Sequence, residues 1–291
     1  MGRATPGLAD IHEMTRLAHG DELPGETRVV PALPPLTKPV AKRLRRDHRR
    51  RLGRLQEALY AEGSRSMLVV LQGLDTAGKD GTLRATFSGV NPQGVVVHPF
   101  KVPSAEEAAH DYLWRVHAAA PAKGMIAVFN RSHYEDLLVP LANGTMDDDA
   151  FGTRVEEIHA FERYLIDQGT TIVKLYLSVS WRTQGKRLLE RLDRPEKHWK
   201  FSPSDALTRA HFQQVEAAYR RVIPATSFPD SPWHIIPADR RWYRNTVAAL
   251  VVTSILAQLD PKIPVVPVAH IERYRRTLER ELHEPDPSQA H

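Results

Sequence analysis

The first long pattern along the chain is helical. Between Ala41 and Glu62, Leu44, Leu52, Leu55 and Leu59 fall on one face at about 100° per residue, and Gly63 supplies a stop. A compact apolar run follows, Met67-Leu68-Val69-Val70-Leu71, closed by Gly73; short and β-branched, it reads as a buried strand. Further strands are predicted at Gly94–Val97, Met125–Phe129, Thr171–Val179 and Trp233–Ile236. Helical spacing is predicted over Lys79–Ser88, Ala105–Ala119, Gly152–Asp167, Trp181–Leu192, Ser204–Val222 and Arg241–Leu259. Strands that alternate with helices imply parallel βαβ units with right-handed crossovers. The expected fold is therefore α/β: a three-layer sandwich around a parallel five-stranded sheet.

The pattern also sets expected boundaries. Residues 1–40 contain Pro6, Pro24, Pro31, Pro34, Pro35 and Pro39 and read as an extended or partly disordered arm. Residues 41–260 read as one domain, and residues 261–291 as a Pro-rich, then charged tail, on the surface or loose. No internal repeat is evident.

Composition changes this picture little. The 291 residues are enough for a full core, and 42% apolar with 26% charged residues is ordinary for a globular protein. There are no cysteines, which excludes disulfides and thiolate–zinc sites. The longest apolar stretch, around Val247–Leu259, is broken by Thr253, Ser254 and Gln258 and is too short to span a bilayer. Arg3, Asp10, Glu13 and Asp21 flank no apolar core of a secretory signal, so a cytoplasmic location is expected. The net charge is only +5, but its distribution is uneven. Nine basic residues against one acid lie between Lys38 and Arg54, and seven against three between Arg182 and Lys200. Such clusters suit a polyanionic partner, although either can also be a solvated helix face.

The first predicted strand leads into Gly73-Leu74-Asp75-Thr76-Ala77-Gly78-Lys79-Asp80-Gly81-Thr82. This is G-x-x-x-x-G-K between a buried strand and a helix, the context in which that spacing cradles phosphate. Glycines let successive N–H groups turn inward, the helix N-terminus adds positive potential, and Lys79 brings a mobile charge. Gly73, Ala77, Gly78, Lys79, Asp80, Gly81 and Thr82 are thus the candidate phosphate-binding residues of the loop. Asp80 stands where a hydroxyl usually follows the lysine, and Asp75 lies within the loop. Both are candidate Mg²⁺ ligands, since that ion seeks hard oxygen; Asp is also common in loops and helix caps.

The strand Met125–Phe129 runs into Asn130-Arg131-Ser132-His133-Tyr134-Glu135-Asp136. A metal-binding acid is expected at the carboxyl end of a strand beside a phosphate loop. Asn130 occupies the strand end instead, with Arg131 as a candidate phosphate clamp and Glu135 and Asp136 as candidate carboxylates. His133 alone is more often packed than catalytic. A third element, about residues 182–205, carries Arg187, Arg191 and Arg194 at i, i+4 and i+7, then Pro195, Lys197, Trp199 and Lys200. It reads as a basic lid that closes over phosphates, or else as a salt-bridged surface helix using Glu190, Asp193 and Glu196.

These segments resemble the polyphosphate kinase 2 family, and most closely its class III. The likeness lies in GLDTAGKDGT at Gly73–Thr82, FNRSHYEDLLV at Phe129–Val139 and ERLDRPEKHWKFSPSD at Glu190–Asp205. Asp111–His117, Phe161–Leu165 and Trp242–Asn245 are also similar, so the resemblance spans roughly residues 40–260. It implies a P-loop kinase fold with a helical lid, Mg²⁺ dependence, a homo-oligomer, and reversible transfer between inorganic polyphosphate and adenine or guanine nucleotides. Asp75, Lys79, Arg131, Arg191, Lys197 and Lys200 would contact phosphates or metal. Glu135-Asp136 resembles class III, whose members act on both AMP and ADP, whereas Pro140–Gly144 and the acidic Met146–Asp149 depart from the family pattern.

The catalytic set expected from all this is Asp75, Lys79, Arg131 and Glu135, with Asp80 and Asp136 as additional metal ligands. No membrane or nucleic-acid partner is expected, because no nucleic-acid module is recognisable. The competing readings are an ATP-dependent nucleoside monophosphate kinase, a nucleic-acid-binding NTPase and a non-catalytic polyanion-binding P-loop protein.

Overall fold

The computed structural model describes residues 8–24, 36–200 and 209–283. Residues 1–7 and 25–35 of the N-terminal arm, 201–205 of the lid and 284–291 of the tail lie outside the described residues, as does the side chain of Lys200.

Five parallel strands form one sheet in the order β2-β3-β1-β4-β5: β1 Ser66–Gln72, β2 Val95–Pro99, β3 Ile126–Asn130, β4 Thr170–Ser178 and β5 Trp233–Pro237. β1 is buried along its whole length, as an apolar run without alternation requires when helices cover both faces. It pairs with β3 on one side (Leu71 beside Asn130) and β4 on the other (Gln72 beside Tyr176). The chain therefore leaves β1 at a point where the sheet order diverges, which is where open α/β sheets bind ligands.

The helices are α1 Leu8–Thr15, α2 Lys38–Glu62, α3 Lys79–Phe87, α4 Ala105–Ala109, α5 Trp114–Ala118, α6 Glu135–Ala142, α7 Asp148–Asp167, α8 Trp181–Leu192, α9 Phe212–Ala225, α10 Arg241–Leu259 and α11 Val268–His283. α2 begins after Thr37 with a proline in its first turn and ends at Gly63 in the left-handed conformation. Leu52 and Leu59 of its predicted stripe are buried, and Leu44 and Leu55 pack at the edge of the core. α10 is buried nearly all round, packed against α1, α2 and α3.

Several elements differ from the sequence reading. The helix predicted over Ala105–Ala119 is two, α4 and α5, because His110 is extended and the Asp111 carboxylate captures the Leu113 N–H at 2.9 Å. α7 starts earlier than Gly152, since Asp147 caps it and Asp148 and Asp149 fill its first turn; the acidic run is helix-start chemistry. The helix predicted over Ser204–Val222 is described from residue 209, with α9 running to Ala225. α6, α1 and α11 were not anticipated as helices.

α1 belongs to the core. Ile11 and Leu17 are buried, the Leu17 N–H donates to the Trp233 carbonyl at 2.8 Å, and Arg16 bridges His234, so this segment covers the β5 edge. His234 meets Thr15 at 3.0 Å. Burial, with His12 and Arg16 close beside it, pushes the His234 imidazole down to about 3. His48, lodged between Thr253 of α10 and the Thr86 carbonyl of α3, is lowered chiefly by burial as well.

Both imidazoles are depressed from an ordinary 6.5, so the unfolded chain binds these protons more readily and their stabilisation is full only above that value. The melting temperature should therefore fall as pH drops from 7.5 to 5. His234→Gln, which keeps a donor and an acceptor, should flatten part of that slope. A wild-type melting temperature that is constant across this window contradicts the assignment.

Candidate active site

The loop after β1 is held in shape by features of its own sequence. Thr76 adopts φ of 63° and Gly78 φ of 103°, so successive peptides turn and expose N–H groups as in an anion-binding nest. A Cβ at Gly73 would lie 2.9 Å from the Leu177 carbonyl oxygen, so only glycine lets the loop leave β1 this close to β4. Lys79 opens α3, and its Nζ folds back to donate to the Gly73 carbonyl at 2.6 Å. Burial pushes its ammonium below the ordinary lysine range, against the pull of Asp75.

Opposite stands Arg131, one residue past β3 and also left-handed at φ 64°. Its N–H donates to the Leu71 carbonyl at 3.1 Å, tying the β3–α6 turn to β1. The guanidinium donates to Asp75 Oδ1 at 2.7 Å and to Glu135 Oε2 at 3.2 Å. Burial disfavours its charge, but Glu135 and Asp75 outweigh burial and hold it more firmly protonated. A non-glycine residue in this conformation needs surroundings that enforce it. Buried neighbours do so: Ser132 accepts from Gln72 Nε2 at 3.2 Å, and Tyr134 donates to Glu162 at 2.6 Å. Glu162 in turn meets Lys174 Nζ at 2.7 Å in the core. His133 is fully buried beside Glu162, a packed histidine.

The structure thus gathers Asp75, Lys79, Arg131 and Glu135 in one place. Asp80 lies one residue further on and accepts from Asn130 Nδ2 at 3.2 Å, which explains a strand-end amide where an acid was expected. Asp136 does not join them. Its carboxylate faces Arg115 at 4.0 Å, and burial raises it above the ordinary carboxylate range against Arg115 and Arg154. Neighbours on a helix point about 100° apart, so Glu135 and Asp136 could not both face the loop.

The lid residues also divide. Arg187 donates to the carbonyls of Thr76 (3.0 Å), Ala77 (3.2 Å), Ala238 (2.7 Å) and Asp239 (2.9 Å), bracing the loop from outside. Arg194 and Lys197 instead meet Glu190 Oε1 at 3.4 and 3.0 Å, and Arg241 of α10 meets its Oε2 at 2.6 Å. Arg191 is half-buried on the same helix, and Lys200 ends the 3-10 turn Pro195–Lys200. Sequence reasoning assigned no part to Glu190 beyond a surface ion pair, and none to Arg241 or Arg244. The Trp242–Asn245 segment was conspicuous, but nothing in it announced contact with a loop far away in the chain.

Among the described residues no group of three His or acidic side chains gathers as a metal cage. Mg²⁺ does not need one: it is commonly held by one or two carboxylates, with substrate phosphates and water completing an octahedron. Asp75 and Glu135, hard-oxygen donors brought to one guanidinium beside a phosphate loop, fit that requirement.

The chain and its fold have known relatives. An AMP/ADP-polyphosphate phosphotransferase of Meiothermus ruber is 47% identical over 215 residues, 74% of this chain and 80% of that one. An ADP-polyphosphate phosphotransferase of Rhodopseudomonas palustris is 39% identical over 226 residues, 74% and 78% of the two chains. The crystal structure of polyphosphate kinase 2 from Arthrobacter aurescens TC1 superposes with a TM-score of 0.86 at 37% identity, covering 93% of this chain and 96% of that one. The polyphosphate kinase 2 (PPK2) model matches residues 36–263, which include the loop, the Arg131 turn and the α8 lid helix, and the chain belongs to the polyphosphate kinase 2 family.

Proposed function

We propose that this protein is a Mg²⁺-dependent phosphotransferase that moves a terminal phosphoryl group between inorganic polyphosphate and AMP or ADP. The observation that carries the reading is the Asp75–Arg131–Glu135 set facing a lysine-bearing phosphate loop. An ATP-dependent nucleoside monophosphate kinase would share the loop, but relatives named for polyphosphate transfer favour the polymer as donor.

In the forward reaction an oxygen of the acceptor's terminal phosphate attacks the terminal phosphorus of polyphosphate. The bond to the bridging oxygen breaks, and the polymer leaves one unit shorter. A nucleotide's terminal phosphate is largely ionised near neutral pH, its second ionisation lying near about pH 6, so no strong general base is needed. Catalysis then rests on in-line positioning and charge neutralisation. The loop N–H groups and Lys79 hold the transferring group. Arg131 moves charge toward its equatorial oxygens, and its ties to Asp75 and Glu135 keep the guanidinium aimed. Mg²⁺, when bound through Asp75 and Glu135, would neutralise charge on the phosphates. Arg191, Arg194, Lys197 and Lys200 steer the polymer. The Lys38–Arg54 face of α2, largely exposed, extends the basic surface. The proposal includes a homo-oligomer, supported by the exposed Ile271, Leu278 and Leu282 on α11, and a cytoplasmic setting.

With polyphosphate as sole phosphate donor and Mg²⁺ present, purified protein should form ATP from ADP, and ADP then ATP from AMP. Product only when ATP is supplied would reinstate the nucleoside monophosphate kinase. Asp75→Asn should lower kcat by about 100-fold or more with the melting temperature little changed; near-normal turnover would remove Asp75 from the site. Because bound polyanions release counterions, the polyphosphate KM should rise steeply between 50 and 200 mM salt, by analogy with nucleic acids. A flat response would mean that the basic lid does not touch the polymer.

A further inference from the structure

Arg244 enters the phosphate loop from behind. It stands in the first turn of α10, is 3% exposed, and donates through one terminal nitrogen to the Ala77 carbonyl at 2.7 Å. Its Nε and other terminal nitrogen donate to the Asn245 side-chain oxygen at 3.0 and 2.7 Å. Among the described residues no carboxylate lies within ion-pair distance of it, while Arg187 and Arg241 add like charge nearby. A buried cation whose acceptors are all neutral oxygens remains costly, and like charge nearby adds to that cost.

Its seat is cut into the loop motif. A Cβ at Gly78 would fall 1.8 Å from the Arg244 guanidinium, and a Cβ at Gly81 would fall 2.9 Å from it. Gly81 is helical and needs no left-handed backbone, so its conformation does not explain why it is glycine. We propose that Arg244 is a positioning residue for the phosphate loop, and that Gly81, with Gly78, is glycine in order to admit it.

In a trans peptide the C=O and the following N–H point to opposite sides. The Ala77 carbonyl is held by Arg244 and also by Arg187, so the Gly78 N–H is fixed on the side away from both. Glycine at position 78 would otherwise let this peptide rotate, because glycine tolerates φ of either sign. Two guanidinium groups remove that freedom. They present the N–H to a phosphate without reorganisation, and their charge adds to the field behind it. Arg244 thus acts through the loop amide and does not itself touch the substrate.

The proposal rests on the reading of Gly73–Thr82 as the phosphate site, and the test separates the two. Tripolyphosphate affinity is measured by calorimetry, alongside the melting temperature, for wild type, Arg244→Met, Gly81→Ala and the double variant. Arg244→Met should weaken tripolyphosphate binding by about tenfold or more, the range of a hydrogen bond involving a charged group. Gly81→Ala, whose Cβ presses on the terminal nitrogen that donates to Asn245, should weaken it in the same direction but by less. The double variant should be no worse than Arg244→Met within about twofold, because both changes remove one interaction. Arg244→Lys, whose ammonium can still donate to the Ala77 carbonyl, should recover part of the affinity.

Effects that multiply in the double variant, or a lowered melting temperature with unchanged affinity, would overturn the proposal and leave the phosphate site intact. No binding by wild type would overturn the site reading and the proposal together. If Arg244→Met does not fold, the same cycle is run with Arg244→Lys, where Gly81→Ala should again cost less than in wild type.

Discussion

β1 is hydrogen-bonded on both sides by parallel partners, and its register brings Gln72 level with Tyr176 of β4 while Leu71 lies beside Asn130 of β3. The backbone has to leave this position within one residue of both neighbours, and everything at the carboxyl edge follows from that. Gly73 is the only residue type that fits against Leu177 there. The Leu71 carbonyl, last but one in the strand, accepts the Arg131 N–H and so fixes where the neighbouring turn begins. Two loops from distant parts of the chain are thereby locked at one end of one strand, and Asp75 and Arg131 meet although 56 positions separate them.

The Arg131 turn carries a second constraint, beneath it. Ser132, His133 and Tyr134 are all fully buried, unusual for a polar stretch that follows a strand. Tyr134 and His133 rest on a charged pair in the core, Glu162 with Lys174, each also bonded to Ser231, which lies outside the site. Burial works to raise the Glu162 carboxyl and to lower the Lys174 ammonium. For Glu162, the Lys174 and His133 contacts prevail, and it stays below the ordinary range. Replacing such a pair with apolar residues often costs nothing in stability. Its value here is geometric: the Tyr134–Glu162–Lys174 hydrogen bonds hold the turn from beneath, where it keeps Arg131 left-handed and aimed at Asp75.

This also explains what the sequence disclosed and what it withheld. The phosphate loop was legible because strand, glycine spacing and lysine are contiguous, so local chemistry dictates the conformation. The buried strands were legible for the same reason. Asp136 was misplaced because adjacency in sequence is not adjacency on a helix, and α6 was not recognised since it is short and contains Pro140. α1 was hidden by the prolines around it, although Ile11 within it and Leu17 just beyond it are buried. Arg187 and Arg191 share α8, but the helix ends at Leu192, so Arg194 lies past its Asp193 cap and off the helix face that the i, i+4, i+7 spacing implied. Only Arg187, nearest the loop, reaches its carbonyls, and one-dimensional spacing does not encode that distance. Arg244 acts 167 residues from Ala77, beyond any local signal. The residue that would have pointed to it is Gly81, a helical glycine with no backbone reason to be one.

Taken together, these contacts separate charge by sign across the loop. On the side of the Arg131 turn lie the carboxylates of Asp75 and Glu135, paired with a single guanidinium. On the side of α8 and α10 lie Arg187 and Arg244 on backbone carbonyls, with Arg241, Arg194 and Lys197 converging on Glu190 alone. A neutral ligand would leave this distribution as frustrated as it is in the free protein. A polyphosphate chain between the two sides would set many anionic oxygens among the lid cations, and Asp75 and Glu135 opposite are the residues that would hold a divalent cation and let it neutralise phosphate charge. The asymmetry therefore suits a ligand that is itself highly anionic, and a bare hydroxyl acceptor would leave the cationic side uncompensated.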